Sequence, residues 1–278
     1  MPLRDAFRSG TFPIALEITP PRRALPRVLE RRARLIEPYA TAVNVIQRSD
    51  RQSSLEASVS LRSRSIETVW HLTVRGRPRE EIVRELHFAH VHGVRQVLCI
   101  LGDSSDADEV PDQIKVREAV ALARDLLPGA LIGATFNQHV ADLESARKNL
   151  LPKLRAGAMY VQTQPVLSLA AFRRAAEPIR QAMPDVRFVP MVMPLLTLQA
   201  AERVGARLGI EIPGELITRI RAGRDAAWEA FAETVQELRN DGLADGAAVM
   251  TFETDPSVDS ATRIVGALRQ AGIRPRKA

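Results

Sequence analysis

The stretch PIALEITPPR places one carboxyl group, that of Glu17, inside an apolar run that ends at two prolines. The aliphatic and β-branched residues of this run favour a buried strand. Burial between such neighbours disfavours the ionised carboxylate and raises its pKa toward neutral pH, as a general acid requires. The alternative interpretation is a glutamate on the solvent side of the strand, and the rest of the chain decides between the two.

Seven more β-branched runs follow, each separated from the next by a longer helical pattern: AVNVIQ, TVWHLTV, QVLCILG, LIGATF, MYVQTQ, RFVPMVM and AAVMTFE. Eight β–α alternations in 278 residues predict the α/β class and a single (β/α)8 TIM barrel over residues 1–278. The active site of that fold lies at the carboxyl ends of the strands. Polar residues occur at nearly every predicted end: Glu17, Gln47, His71, Thr73, Asp103, Asn137, Gln164 and Glu253. This pattern predicts a catalytic mouth that Glu17 faces.

Helical periodicity is clearest over residues 78–93, where the spacing of Ile82, Leu86 and Val91 predicts one apolar face. Cys99 is the only cysteine, which excludes internal disulfides and cysteine-based metal cages. His87, His90 and His92 do not share one helical face well, and no acidic partner is adjacent to complete a ligand set. The sequence therefore predicts no metal site.

Charge, sequence motifs and hydropathy argue against two classes of partner, nucleic acids and membranes. The chain carries 39 Lys and Arg against 33 Asp and Glu, a net charge of +6, which raises the hypothesis of nucleic-acid binding. The arginines are spread along the whole chain between acids, and the sequence contains no nucleic-acid-binding motif. It also contains no apolar run of membrane-spanning length and no secretory signal at its start. We expect a cytoplasmic protein that binds neither nucleic acid nor membrane.

Five segments, in order and together covering roughly residues 12 to 275, resemble the methylenetetrahydrofolate reductase family. They are LEITPPR, HLTVRGRPREEI, HGVRQVLCILGD, NLLPKLRAGAMYVQTQPV and FVPMVMPLLTLQAAERV. The resemblance implies a (β/α)8 barrel that holds FAD. It also implies an oxidoreductase of one-carbon metabolism and methionine biosynthesis, acting on CH–NH donors. Such an enzyme interconverts 5,10-methylenetetrahydrofolate and 5-methyltetrahydrofolate, with NAD(P)H as the hydride donor.

The resemblance also assigns roles to single residues. Glu17 takes the position of the general acid that protonates N10 of the folate, so that an iminium on N5 can accept hydride. Asp103 takes a catalytic position beside the flavin, and Gln164 offers its amide to the pterin edge, so that Glu17, Asp103 and Gln164 bind the substrate. The residues assigned to FAD are His71, Thr73, Gly102, Asp103, Asn137, Asn149 and Lys153.

Four positions depart from the family pattern, namely Ile46, Leu101, Ala146 and Thr254, and three of them bear on the flavin. We therefore expect FAD to bind more weakly than in typical relatives. Two alternatives stay open: a flavin-free relative that passes hydride directly from NADH to folate, and a non-enzymatic folate-binding or regulatory barrel. The sequence also leaves open the choice between NADH and NADPH, the physiological direction and a homo-oligomeric state.

Overall fold

A computed structural model describes residues 2–102, 110–251, 253 and 255–276. Eight parallel strands close into a barrel in chain order, which confirms the predicted (β/α)8 fold. The strands are β1 Ile14–Ile18, β2 Ala40–Val45, β3 Thr68–Thr73, β4 Gln96–Ile100, β5 Leu131–Phe136, β6 Tyr160–Pro165, β7 Arg187–Val192 and β8 Ala247–Met250. Each of them overlaps one of the eight runs predicted from the sequence.

The helices of the described chain flank this barrel. They are α1 Leu3–Arg8, α2 Pro26–Ala33, α3 Ser54–Arg62, α4 Arg79–Val91, α5 Val116–Leu126, α6 Leu143–Ala156, α7 Leu169–Ala182, α8 Leu198–Leu208, α9 Gly214–Ala222, α10 Arg224–Asp241 and α11 Val258–Gln270. The connection between β7 and β8 is the most elaborate, because α8, α9 and α10 all lie in it.

Alternate residues of each strand face the barrel interior or the surrounding helices. The lower part of the interior is apolar and is contributed by all eight strands: Ala15, Ala42, Val69, Leu98, Leu131, Tyr160, Val189 and Ala248. Helix α1 packs Leu3 and Phe7 against this layer, and the Leu3 amide donates to Gln96 Oε1 at 2.9 Å. The amino-terminal end of the barrel is thus filled by side chains, and open space is left at the carboxyl ends of the strands.

A second and larger apolar layer lies between the strands and the helices. Helix α4 contributes Ile82, Leu86 and Ala89 to it, all fully buried. The expectation that Val91 belongs to this face was wrong, because Val91 is 78% exposed. At 100° per residue, a position nine residues after Ile82 lies on the opposite side of the helix, whereas Ala89 returns to the buried side.

Within the described part of the chain, no helix has both the length and the apolar character needed to cross a membrane.

Candidate active site

Glu17 lies on the interior side of β1, one inward position above the apolar layer that contains Ala15. Its side chain is buried, and its strand neighbours Leu16 and Ile18 pack outward against the helices. Burial raises the pKa of Glu17 from 4.5 to about 7, against the opposing effects of Gln162, Asn44 and Arg207. The carboxyl group therefore holds its proton at near-neutral pH.

Two amide side chains connect Glu17 to the opposite wall of the barrel. Gln162 on β6 donates from Nε2 to Glu17 Oε2 at 2.9 Å, and Asn44 on β2 donates from Nδ2 to Gln162 Oε1 at 2.7 Å. Asn44 is also the register partner of Glu17 in the β1–β2 pair. Because Asn44 occupies the Gln162 oxygen, the Gln162 amide can present only its N–H groups to the glutamate. Glu17 Oε2 is thus the acceptor in this bond.

His71 on β3 supplies a neutral ring to the same interior. Burial lowers the pKa of His71 to about 4, so the imidazole is uncharged at neutral pH. Its Nε2 atom is buried and has no hydrogen-bond partner among the described residues. The backbone carbonyl of His71 accepts from Ser54 Oγ at 2.9 Å, which ties this strand end to α3. A buried polar atom without a protein partner indicates a position that a ligand can satisfy.

Glu17, His71 and Gln162 line a cavity of about 650 Å³ at the carboxyl ends of the strands. Its volume lies within the range of small-molecule sites. Much of its wall is apolar: Ile46, Leu98, Ile100, Met191, Met193 and Met250. A flat heteroaromatic ligand suits an apolar slot of this kind, with polar groups at a few points that fix its orientation.

Gln164 also lines this cavity, and its backbone is fixed from the next loop. Gln138 accepts from the Gln164 amide at 3.0 Å and donates to the Gln164 carbonyl at 2.7 Å. This pair of bonds holds the end of β6, where the register with β7 shifts between Gln162 and Pro165. The side-chain amide of Gln164 thus lies in the cavity wall on a restrained backbone, with both a donor and an acceptor to offer.

The structure brings most of the predicted site residues together. Thr73, Gly102 and Asn137 line the cavity with Glu17, His71 and Gln164. Gly102 has φ +96, a conformation that favours glycine, and Thr73 lies beside its Cα. The predicted catalytic residue Asp103 lies outside the described residues, as does Thr254.

Two predicted cofactor residues lie elsewhere, on α6. Neither Asn149 nor Lys153 belongs to the cavity lining; Asn149 is exposed and Lys153 is partly buried. Burial lowers the pKa of Lys153, and the amine lies close enough to Cys99 to interact with its thiol. Because Cys99 packs in the layer between strands and helices, Lys153 approaches the outer side of β4.

Three polar residues of the cavity lining were not predicted as site residues, namely Gln162, Arg203 and Arg207, and neither was Asn44, which hydrogen-bonds to Gln162. Gln162 stands two residues before Gln164, so strand alternation alone places both on the interior side. Arg203 and Arg207 are four residues apart on α8, a spacing that puts them on one helical face.

Among the described residues, no cluster of histidine, cysteine and acidic side chains has the geometry of a metal site.

Comparisons with known proteins bear on the family and the fold of this chain. Residues 2–265 match the model of the family described as methylenetetrahydrofolate reductase. A probable methylenetetrahydrofolate reductase (NADPH) of Caenorhabditis elegans is 22% identical over an alignment 286 residues long. The alignment covers 94% of this chain and 43% of that protein. The chain thus spans less than half the length of that relative.

A solved structure shows the same fold over nearly the whole length of both chains. An uncharacterized protein from Clostridium thermocellum, described as binding two copies of 5-methyl-5,6,7,8-tetrahydrofolic acid, superposes with a TM-score of 0.69. It is 13% identical and covers 96% of this chain and 98% of its own. The match of the family model over most of the sequence decides the assignment: this chain belongs to the methylenetetrahydrofolate reductase family.

Proposed function

We propose that this protein interconverts 5,10-methylenetetrahydrofolate and 5-methyltetrahydrofolate with NADH or NADPH, through bound FAD, and that Glu17 is the general acid. The observation that carries the proposal is the Glu17 carboxyl group, whose pKa of about 7 places a retained proton in the cavity at the catalytic face of the barrel. Family membership supports the reaction type, and the folate-binding structural neighbour supports a folate as the ligand.

The chemistry requires a proton before a hydride. The five-membered ring of the substrate opens when the bond between the one-carbon unit and N10 breaks, and N10 takes a proton as it leaves. The one-carbon unit then remains on N5 as an iminium, which accepts a hydride and becomes the methyl group. Glu17 Oε1 is the proton source in this proposal, because Oε2 is engaged by Gln162. Proton donation by a positioned side chain typically contributes ~10²–10⁴-fold to a rate.

Other residues of the same cavity orient the substrate in this proposal. Gln164 offers an amide to the edge of the pterin, and the methionines and leucine of the cavity pack against its faces. We assign Asp103 a second catalytic and substrate-binding role, with the carboxylate favouring the cationic iminium. This residue directly follows Gly102, which lines the cavity.

FAD, when bound, supplies the hydride relay between the nicotinamide and the folate. The cavity residues fit its ring system, because the slot is apolar and His71 Nε2 is a buried polar atom with no partner among the described residues. Thr73, Gly102, Asp103 and Asn137 would surround the ring with His71. The resemblance assigns the ribose and diphosphate to Asn149 and Lys153, but both lie on α6 outside the cavity lining, so FAD would have to extend beyond the cavity to meet them.

Three features argue for weak FAD binding. Ile46 presents an aliphatic side chain to the cavity, Leu101 is 44% exposed, and Ala146 adds no polar group to α6. Each missing hydrogen bond costs about 0.5–3 kcal/mol of binding free energy, and every 1.4 kcal/mol is a factor of about ten in affinity. We therefore propose that FAD is lost on purification and restored by adding it back.

The test is a titration of flavin-free protein with FAD, with the reduction of 5,10-methylenetetrahydrofolate by NADH and by NADPH measured at each step. Activity that rises in proportion to FAD occupancy is the expected result. Full activity without flavin would overturn the cofactor assignment and favour direct transfer from NADH to folate. Tight folate binding without turnover under any of these conditions would favour a non-enzymatic folate-binding barrel.

We further place the protein in the cytoplasm, in one-carbon metabolism and the supply of methyl groups for methionine. A basic chain without a nucleic-acid-binding motif and with its arginines spread among acids supports a small-molecule partner. The choice between NADH and NADPH follows from the same titration.

A further inference from the structure

Helix α8 presents two arginines to the cavity that holds Glu17. Arg203 and Arg207 both line it, together with Val204 and Leu208 of the same helix. Residues four apart share one face of an α-helix, so the two guanidinium groups lie about one turn from each other. Both arginines are exposed, which places them at the solvent rim of the cavity and not at its floor.

Among the described residues, the charged side chains around this rim are mostly cationic. Of the described residues that line the cavity, the cationic ones are Arg48, Arg203 and Arg207, and the acidic one is Glu17. Arg48 has Asp50 at 3.5 Å as an ion-pair partner, whereas Arg203 makes no ion pair with any described residue. Arg207 lies near enough to Glu17 for its charge to act on the carboxyl group. An anionic group entering this rim would meet Arg203, a cation without an ion-pair partner among the described residues, one helical turn from Arg207.

The position of the pair relative to the cavity floor selects the kind of anion. A folate carries its pterin at one end and a glutamate tail with free carboxylates at the other. With the pterin held at Glu17 and Gln164, the tail must leave through the open end of the barrel, where α8 lies. We propose that Arg203 and Arg207 form a rim site that binds the carboxylates of the folate's glutamate tail. This inference rests on the function proposed above and adds the group that recognises the tail.

Planar guanidinium groups match carboxylates in geometry as well as in charge. The diphosphate of a dinucleotide is also an anion that guanidinium groups bind. The experiment must therefore distinguish binding of the folate carboxylates from binding of a diphosphate. The probes are 5-methyltetrahydrofolate, its triglutamate form and the neutral carboxamide of 5-methyltetrahydropteroate (called the pteroate below), which keeps the pterin and the aminobenzoyl group but carries no carboxylate. Pyrophosphate serves as the probe for a diphosphate site.

The experiment measures dissociation constants of these four probes by titration calorimetry for the wild-type protein and for Arg203→Ala and Arg207→Ala. Arg174→Ala, an exposed arginine of α7 outside the cavity lining, is the matched control. Each rim variant should weaken binding of both glutamylated folates by about three- to tenfold and leave the pteroate unchanged. The loss should shrink at high salt, because exposed charges are screened. Arg174→Ala should bind all probes as the wild type does.

The remaining outcomes each count against one claim. If the wild-type protein binds the pteroate as tightly as the folates, or if the rim variants lose affinity equally for all three, the tail site is wrong and the proposed function stands. If pyrophosphate binding depends on Arg203 while folate binding does not, the pair belongs to a dinucleotide. If the wild-type protein binds none of the three pterin probes, the proposed function itself fails. A thermal unfolding curve for each variant confirms that it is folded.

Discussion

Glu17, Gln162 and Asn44 come from strands β1, β6 and β2, and together they determine when the glutamate holds its proton. Burial favours the neutral acid, whereas the Gln162 amide stabilises the ionised form through its 2.9 Å bond. The pKa of about 7 is the balance of these effects. Asn44 acts in two ways: its own side chain lowers the pKa of Glu17, and it determines which end of the Gln162 amide faces the carboxyl group.

This balance makes Gln162 a positioning residue that can be tested separately from Glu17. Gln162→Leu removes the amide that lowers the pKa of Glu17, so this pKa should move further above its present value. The alkaline limb of the folate-reduction rate should then shift to higher pH. A variant that only disturbs packing would lower the rate at every pH without moving the limb. The check is a pH–rate profile from pH 5 to pH 9, with Gln138→Leu as a control amide that does not touch Glu17.

The sequence indicated Glu17 and missed the two amides that hold it. Glu17 stands out because it is a lone acid in an apolar strand that ends at two prolines. Gln162 is separated from it by 145 residues, and period-two alternation says only that Gln162 faces the interior. Which interior residues meet across a barrel depends on the stagger of the strands, and a single sequence does not contain that register.

Strands β5 and β6 show how one small residue sets the packing below the site. A side-chain carbon added at Gly133 would overlap the ring of Tyr160, its register partner on β6. Tyr160 is fully buried in the apolar layer of the interior, two residues before Gln162 on the same side of the strand. The close approach of β5 to this ring therefore requires glycine.

Gly133→Ala should destabilise the protein by ~1–3 kcal/mol or more, because the barrel interior must move to accept the methyl group. The matched control is Gly266→Ala in α11, where nothing lies within reach of the added carbon and a helical alanine is favoured by ~0.5–1 kcal/mol. Urea unfolding of the two variants and the wild type measures both effects. A Gly133→Ala protein as stable as the wild type would contradict this account of the β5–β6 contact.

At this scale the strands were easier to predict than the helices. Every strand was predicted because a parallel strand buried on both sides reads as a continuous aliphatic run. Val91 was misplaced because nine residues along a helix turn the side chain by half a circle, so Val91 and Ile82 face opposite sides. Helix α1 was not predicted, since a six-residue segment is too short to show periodicity.

The whole molecule brings its chemistry together by closing the barrel. An apolar layer and α1 fill the amino-terminal end, and the cavity in the described part of the chain lies at the carboxyl ends of the strands. From there the cavity runs from a neutral floor at Glu17, Gln164 and His71 to a cationic rim on α8. This gradient matches a ligand with a heteroaromatic head and an anionic tail.

The fold and the family could be predicted from the sequence, and both are confirmed. Convergence of Glu17, His71 and Gln164 followed from their places at strand ends, because parallel strands bring those ends to one face. The cofactor contacts stay predictions. Asn149 and Lys153 were assigned by resemblance alone, and the structure places them on α6 away from the cavity lining.

The most direct test of the account is the pH dependence of the folate half-reaction in a single turnover, for the wild-type protein and for Glu17→Gln. Formation of 5-methyltetrahydrofolate by the wild-type protein should slow as pH rises through about 7, because Glu17 loses the proton that N10 requires. Glu17→Gln should be ~10²–10⁴-fold slower and show no limb near pH 7, while reduction of bound flavin by the nicotinamide stays largely intact. A Glu17→Gln protein that loses both half-reactions equally, or that keeps the wild-type rate and pH limb, would contradict the assignment of Glu17 as the acid.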